Sequence, residues 1–146
     1  SNTSIYGNEF TPQIDVTVTA LRGRTNNARI GRMRIGDLEQ ILLETEEVSF
    51  PANEWVVIPL STPITLQANT HYIVQVVVSN NPGTIGYTKT VPNIDSRFVW
   101  NIARYGGYPG NTDNNYVNAD IICPRDYRYV IKQFVKKSGV WDEIQQ

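Results

Sequence analysis

The sequence predicts an all-β protein: a single-domain, antiparallel β-sandwich of the jelly-roll type with roughly nine or ten strands. The strongest indication is a segment that is apolar on both faces, as expected for a strand inside a packed sandwich. One face carries Tyr72, Val74, Val76 and Val78, and the other carries Ile73 and Val77. Turn signals recur roughly every 8–12 residues, and charged residues make up only 18% of the chain. These features favour short paired strands over helices.

The N-terminal third divides into extended segments separated by turns. Residues 5–10 predict a first short strand. Residues 22–32 predict a hairpin with Asn26-Asn27 at its tip. QILLETEEV (40–48) is extended, with a short helical turn near residues 38–42 as the alternative. Between the first strand and the hairpin, a half-buried strand is predicted by alternating apolar residues, namely Ile14, Val16, Val18 and Ala20.

Residues 55–79 predict a strand, a tight corner and a second, longer strand. Pro59 and Pro63 remove ladder donors, which confines the pairing of the first of these strands to a sheet edge or a strand end. Asn69 tolerates unusual backbone angles and supplies the corner. Further along, a turn is predicted at 80–83, followed by strands in TIGYTKT (84–90), RFVWNI (97–102), DIIC (120–123) and YRYVIKQFV (127–135).

A long loop, residues 103–118, interrupts this rhythm of strands. It is rich in Gly and Asn with interleaved Tyr, a composition typical of recognition loops. Loops of this length are uncommon in compact domains unless they are functional or disordered. Two interpretations remain equally open: the tyrosines meet a ligand, or they fold back over the edge of their own sandwich.

If the loop binds a glycan, its aromatic rings would stack on the C–H faces of the sugar and its polar side chains would bond the hydroxyls. The candidate ligand-binding residues are Trp100, Arg104, Tyr105, Tyr108, Asn111, Asp113, Asn114 and Tyr116. Trp55 is flanked by apolar residues, which favours burial over ligand binding.

The sequence contains no recognisable catalytic pattern, so an enzyme is not expected. His71 is the only histidine, it is predicted to lie mid-strand, and no nucleophile-elbow sequence accompanies it. A zinc site built from several His and Cys is excluded by their number. Residues 111–115 have atoms that suit a structural calcium ion but no recognisable calcium-loop pattern, so no cofactor is predicted. Cys123 lies among apolar neighbours and is expected to be a small buried hydrophobe.

Charge argues against a nucleic-acid partner and hydropathy against membrane insertion. The net charge is -1, which gives no global field to recruit a polyanion. No apolar run approaches the ~20 residues that a membrane-spanning helix needs. Five arginines between residues 22 and 34 precede four glutamates between 39 and 47. Pairing of these opposite charges across adjacent strands explains both clusters, whereas a polyanion site explains only the first.

One resemblance concerns the fold. LEQILLET followed by NEWVVIPLSTPITLQANTHYIVQV resembles carbohydrate-binding jelly-roll modules of secreted and viral surface proteins. In those families a "G-x-L-L" strand precedes "W-x-x-x-x-L-x-x-P-I-x-L-x-A-x-T-x-Y". The matching positions are Trp55, Leu60, Pro63, Ile64, Leu66, Ala68, Thr70 and Tyr72. The resemblance covers about residues 14–135 if DYRYVIKQF is the closing strand. It implies the sandwich fold, but the ligand residues of those families vary too much to be carried over.

A second resemblance concerns the C-terminal segment, QFVKKSGVWDEIQQ, which is similar to the "V-K-x-x-G-x-W-x-x-I" tail of bacteriophage tail-fibre and adhesion proteins. The matching residues are Val135, Lys136, Gly139, Trp141 and Ile144. Residues 137–146 are expected to pack on the domain or on a neighbour, with Trp141 as the interface candidate.

These observations lead to two hypotheses for an extracellular or virion-surface protein. In the first, the chain is a non-enzymatic module that binds a cell-surface glycan or receptor as part of a phage tail or virion appendage. In the second, it is a structural decoration or assembly subunit of a virion or filament without a free ligand. Both expect a homo-oligomer or a place in a larger assembly.

Overall fold

The structure is a computed structural model that describes residues 3–79, 95–113 and 117–125. Ten strands and no helix occur in these ranges. The strands are β1 (Thr3–Pro12), β2 (Val16–Gly23), β3 (Arg29–Asp37), β4 (Ile41–Glu44), β5 (Val48–Phe50), β6 (Val56–Leu66), β7 (Tyr72–Ser79), β8 (Phe98–Tyr105), β9 (Asn111–Asp113) and β10 (Ala119–Ile122). The predicted all-β sandwich is confirmed. The strands predicted at 84–90 and 127–135 lie outside the described residues.

Two antiparallel sheets pack against each other. The seven-stranded sheet has the order β4-β3-β7-β1-β8-β9, and β5 also pairs with β3. The three-stranded sheet has the order β10-β2-β6. The chain passes repeatedly from one sheet to the other, for example from β1 to β2 and from β2 to β3. Such crossing connections are typical of jelly-roll sandwiches, in which neighbours in sequence are often not neighbours in a sheet.

The core lies between the sheets and follows the alternation predicted for β7 and for Val16 and Val18 of β2, whereas Ile14 is 53% exposed and lies outside the strand. Val74 and Val76 of β7 are fully buried there and pack with Phe10 of β1. Leu21 and Leu66 approach from the three-stranded sheet. The opposite face of β7 is the outer face of the seven-stranded sheet, defined here as the face turned away from the three-stranded sheet. The side chains that β7 places on this outer face are buried as well, because Ile73 and Gln75 are both 0% exposed.

The edge and the corner predicted for residues 55–72 are both present. Among the described strands, β6, which contains Pro59 and Pro63, lies at one edge of the three-stranded sheet. Asn69 has a φ of 62° in the corner that follows. The backbone N–H of Gln67 donates to the Tyr72 hydroxyl across this corner at 2.8 Å. The corner is therefore held by a side chain as well as by its backbone.

The predicted hairpin at residues 22–32 is wrong, because β2 and β3 belong to different sheets. Alternating apolar residues identify the buried face of each strand, but they do not identify the neighbouring strand. The connection at residues 24–28 is long enough to cross the ~10 Å between packed sheets. It is fixed on the way, since the N–H of Arg24 donates to the carbonyl of Asn118 at 3.0 Å.

Two smaller expectations also need correction, and one alternative that the sequence left open is resolved. The first strand is ten residues long rather than short, because it is hydrogen-bonded on both sides, to β7 and to β8. His71 lies just before β7 instead of mid-strand. No helical turn forms at residues 38–42, where a bend leads into β4. In this bend Asp37 Oδ1 accepts hydrogen bonds from the N–H groups of Glu39 and Gln40, at 2.8 and 2.9 Å.

The arginine and glutamate clusters pair only in part. Arg34 lies opposite Glu44 in the β3–β4 ladder, and the two side chains approach to 3.7 Å. Arg32 reaches Glu47 at 3.7 Å. Arg22 instead bonds the buried Asp120, its cross-strand neighbour in β10. The cross-strand explanation therefore holds for Arg32 and Arg34 of β3 and not for Arg22 of β2.

Asn8 joins the two sheets through a buried polar contact. Its side chain is 4% exposed on β1, among core residues. Its Oδ1 accepts from the backbone N–H groups of Asn118 and Ala119, both at 3.1 Å, where β10 begins. Because buried donors are costly to leave unpaired, this contact fixes the position of β10 over β1.

Cys123 is 7% exposed and packs with the core, as expected. Burial is the main cause that raises the pKa of its thiol to about 12. The side chain is therefore uncharged near neutral pH. Its carbonyl accepts a hydrogen bond from Arg97 Nη2 at 2.6 Å.

Asp95→Asn is expected to weaken the acid sensitivity of the protein. Hydrogen bonds from Arg97, at 3.1 Å from Nε and 2.7 Å from Nη2, hold the pKa of the Asp95 carboxyl below its usual value. A carboxyl with a lowered folded-state pKa stabilises the fold above its unfolded pKa of about 3.9, and this stabilisation is lost as the pH falls through the folded-state pKa. Urea midpoints measured from neutral to acidic pH should therefore fall less steeply in the variant. An identical pH profile for the variant and the parent would contradict the assignment. Glu39→Gln, at an exposed carboxylate, is the control.

Candidate functional site

The predicted long loop is largely a β-hairpin. β8 continues to Tyr105 and pairs with β9, so that only residues 106–110 form the turn. Gly106 and Gly110 have φ angles of 85° and 88°, a backbone region that residues with a Cβ rarely adopt. The N–H of Gly106 donates to the carbonyl of Ile5 at 2.9 Å. The turn is therefore fixed to β1.

The β8–β9 hairpin separates the predicted site residues onto two faces. Tyr105 is paired with Asn111 and Ala103 with Asp113, and cross-strand partners present their side chains on the same face. Arg104, paired with Thr112, points to the other face, which is the outer face of the seven-stranded sheet. The face that carries Tyr105, Asn111 and Asp113 is called the Tyr105 face below.

Tyr108 belongs to the outer face and packs on its own sheet. Its hydroxyl donates to the carbonyl of Asp37, and the guanidinium of Arg34 lies 5.4 Å from the ring centroid. The hydroxyl lies so close to Gly36 that a Cβ at this position would overlap it. Burial is the main cause that raises the pKa of Tyr108, so the hydroxyl stays protonated and remains a donor. Tyr108 thus fastens the turn to the end of β3.

Gln75 of β7 also holds the turn on the outer face. It lies at the centre of the outer face and is 0% exposed. Its Nε2 donates to the carbonyl of Gly107 at 2.8 Å, and its Oε1 accepts from Arg34 Nε at 2.7 Å. The same arginine lies over Tyr108, so the turn is held by a continuous polar network across two strands.

Arg104 is also engaged within the protein. Its Nε and Nη2 donate to Glu9 Oε1 at 3.0 and 2.6 Å, and its Nη1 donates to the carbonyl of Gly110 at 3.1 Å. Glu9 is 5% exposed, and its second oxygen lies 2.7 Å from His71 Nδ1. The guanidinium therefore positions the turn and neutralises a buried carboxylate. This use accounts for its orientation away from the Tyr105 face.

The Tyr105 face is the part of the predicted site that remains accessible. The Tyr105 side chain is 37% exposed. Its ring stacks on Tyr6 of β1 with centroids 6.3 Å apart and planes inclined by 24°. Asn111 is exposed beside it, and Asp113 is half-buried on the same face two residues further along β9. A Cβ added to Gly107 in the turn would meet no atom within 4 Å, so the turn is open at this residue.

The other predicted residues differ in their surroundings. Trp100 is half-buried and packs on Phe10 at 5.1 Å between ring centroids, so it extends the core. Trp55 is also half-buried, and the guanidinium of Arg22 lies 5.1 Å from its ring centroid. Asn114, Tyr116 and Trp141 lie outside the described residues.

Two of the clefts that described residues line are away from the Tyr105 face. The larger, about 710 Å³, lies near the start of β8, and its lining includes Ile14, Arg97 and Arg125. The smaller, about 230 Å³, lies on the outer face, and its lining includes Arg32, Glu44 and Glu47. Arg97 in the larger cleft is bonded to Asp95 and to the carbonyl of Cys123. The charged side chains of the smaller cleft form ion pairs, Arg32 with Glu47 and Glu44 with Arg34.

The described part of the chain shows no group of three or more histidine, cysteine, aspartate or glutamate side chains placed to hold a metal ion. The same residues include no helix that is long and apolar enough to cross a membrane.

Sequence reasoning did not identify Tyr6 as the support of Tyr105, nor Glu9 and Gln75 as the anchors of the turn. These residues lie on β1 and β7, far from the hairpin in sequence. Only the strand register brings them together, and no local sequence motif predicts that register.

Comparison of the chain with protein families, with curated proteins and with solved structures finds no match.

Proposed function

We propose that the chain is a non-enzymatic β-sandwich module that binds a glycan through the Tyr105 face. The observation that carries this proposal is an accessible tyrosine ring, stacked on Tyr6 and flanked by the exposed amide of Asn111. The rigid strand pair β8–β9 carries both side chains.

The chemistry of this face suits a sugar. The C–H groups on one face of a pyranose stack on an aromatic ring, while its hydroxyls need donors and acceptors at the ring's edge. Asn111 offers both a donor and an acceptor, and Asp113 adds acceptors. Because Tyr6 already supports the Tyr105 ring, less side-chain entropy is lost when a ligand binds.

The proposed setting is a virion tail or a comparable surface appendage. It rests on the resemblance of residues 55–72 to carbohydrate-binding sandwich modules and of residues 135–144 to tail-fibre proteins. A single tyrosine platform gives weak binding. Repeated copies on an appendage would raise the effective concentration and convert weak contacts into stable attachment.

Tyr105→Ala is expected to reduce glycan binding at least about tenfold, which corresponds to about 1.4 kcal/mol. The loss follows from removal of the stacking surface, while the fold keeps its core because the ring lies at the margin of the sandwich. A glycan array would identify a ligand, and titration calorimetry would compare the variants.

The matched control is Thr112→Ala, an exposed residue of β9 that faces the opposite side. Unchanged binding is expected for this control. Equal affinity of Tyr105→Ala and the parent would contradict the proposed site.

One observation favours the alternative, a structural assembly subunit. Leu38, Ile41 and Leu42 are 40%, 37% and 47% exposed where β3 turns into β4, and β4 is an edge strand among the described strands. Exposed apolar residues on an unpaired edge are typical of association surfaces. A stable oligomer that is dissociated by Leu42→Lys and gives no signal on the glycan array would favour this alternative. A monomer that binds sugar would favour recognition.

A further inference from the structure

Among the described residues, the side chains that β8 and β9 place on the Tyr105 face include a carboxylate and no cation. These side chains are Trp100, Ala103, Tyr105, Asn111 and Asp113. Asp113 makes no ion pair with any described residue. It lies two residues along β9 from Asn111, on the same face. The charge that this hairpin contributes near the ring is therefore negative.

The one arginine of this hairpin cannot supply a compensating charge without breaking the fold. Arg104 points to the outer face, where three of its hydrogen bonds go to Glu9 and Gly110. Glu9 is 5% exposed, and separating a buried ion pair is strongly destabilising because it leaves an uncompensated charge. The guanidinium is thus held on the far side of the strand from any ligand that stacks on Tyr105.

Anionic sugars need a cationic partner, and the described side chains that β8 and β9 place on this face include none. Carboxylate, sulfate and phosphate groups are recognised by arginine or lysine, often through two parallel hydrogen bonds. An anionic ligand beside Asp113 would instead meet a like charge, which disfavours the complex. A neutral sugar meets a suitable acceptor, because each of its hydroxyls can donate to the carboxylate.

We infer that the ligand of the Tyr105 face is a neutral glycan and that Asp113 determines this preference by accepting hydrogen bonds from sugar hydroxyls while repelling sialic, uronic and sulfated residues. This inference rests on the proposed function. It adds the class of ligand and assigns a specificity-determining role to one residue.

The test uses a printed set of neutral glycans, each paired with its sialylated, uronic-acid or sulfated counterpart. The parent protein is expected to bind neutral members at least about tenfold more tightly than their anionic partners. Binding to the neutral members should change little with salt, because no ion pair forms. Asp113→Asn keeps the shape of the side chain and removes its charge, so the preference should shrink mainly through improved binding of anionic members.

The control is Thr112→Asp, which places the same charge on the opposite face of β9 and should leave the preference unchanged. Tighter binding of anionic glycans that is lost in Tyr105→Ala overturns the inference and leaves the proposed function standing. Retention of the full preference by Asp113→Asn likewise overturns the inference alone. Binding to no member of either set overturns the proposed function and this inference together.

Discussion

Gly7→Ala is expected to destabilise the protein severely. Gly7 lies in the middle of β1, opposite Gln75 on one side and Arg104 on the other. A Cβ at this position would lie 2.7 Å from Gln75 Cα and closer still to the Val74 carbonyl. These are backbone atoms of a strand that is itself paired on both sides, so they cannot move away without breaking ladders. We expect the free energy of unfolding to fall by about 4 kcal/mol or more. This is a large part of the roughly 5–15 kcal/mol by which a typical domain is stable.

Urea denaturation followed by circular dichroism measures this loss. The matched control is Gly107→Ala, where an added Cβ meets no atom within 4 Å. The control should unfold within a few tenths of a kcal/mol of the parent. Equal stability of Gly7→Ala and Gly107→Ala would show that β1 is not enclosed between β7 and β8 as described.

Tyr108→Ala is expected to destabilise the protein by about 3 kcal/mol, whereas Tyr105→Ala should cost less than about 1 kcal/mol. The Tyr108 ring is half-buried against Arg34, and its hydroxyl bonds the Asp37 carbonyl. Truncation removes this packing and leaves the carbonyl without its partner. The stacked ring of Tyr105 is more exposed, so its truncation removes less packing. Thermal unfolding should separate the two variants by several degrees.

Tyr108→Phe isolates the hydroxyl group. It keeps the ring and removes only the donor to Asp37, so we expect a loss of about 1–2 kcal/mol. Unfolding free energies that are the same for Tyr105→Ala and Tyr108→Ala would contradict the division of the two tyrosines between opposite faces.

Much of the fold follows from local pattern. The alternation of Val74, Val76 and Val78 identifies the core face of β7, and the apolar residues on its other face indicate that both faces are covered. Proline placement predicts a sheet edge or a strand end for β6, and among the described strands β6 lies at an edge. The neighbour relations do not follow in this way, because periodicity is a property of one strand and pairing is a property of two. The predicted hairpin between β2 and β3 fails for this reason.

The candidate site is predictable only as a composition. Tyr105 and Tyr108 look alike in sequence, and both fit a recognition loop. Their difference arises from pairing across long separations: Tyr105 meets Tyr6, and Tyr108 meets Asp37. Gly36 leaves room for the Tyr108 hydroxyl, but a glycine before an aspartate equally signals an ordinary turn. In the sequence Arg104 likewise fits a ligand-binding residue, but the strand register places it beside Glu9.

The most direct test of the Tyr105 face is an NMR titration of the isotope-labelled protein with a glycan that binds. Ring-current shifts of the sugar C–H protons and perturbed signals of Tyr105, Asn111 and Asp113 are the expected result. Perturbations confined to another surface, such as the cleft lined by Arg97 and Arg125, would contradict the proposed site.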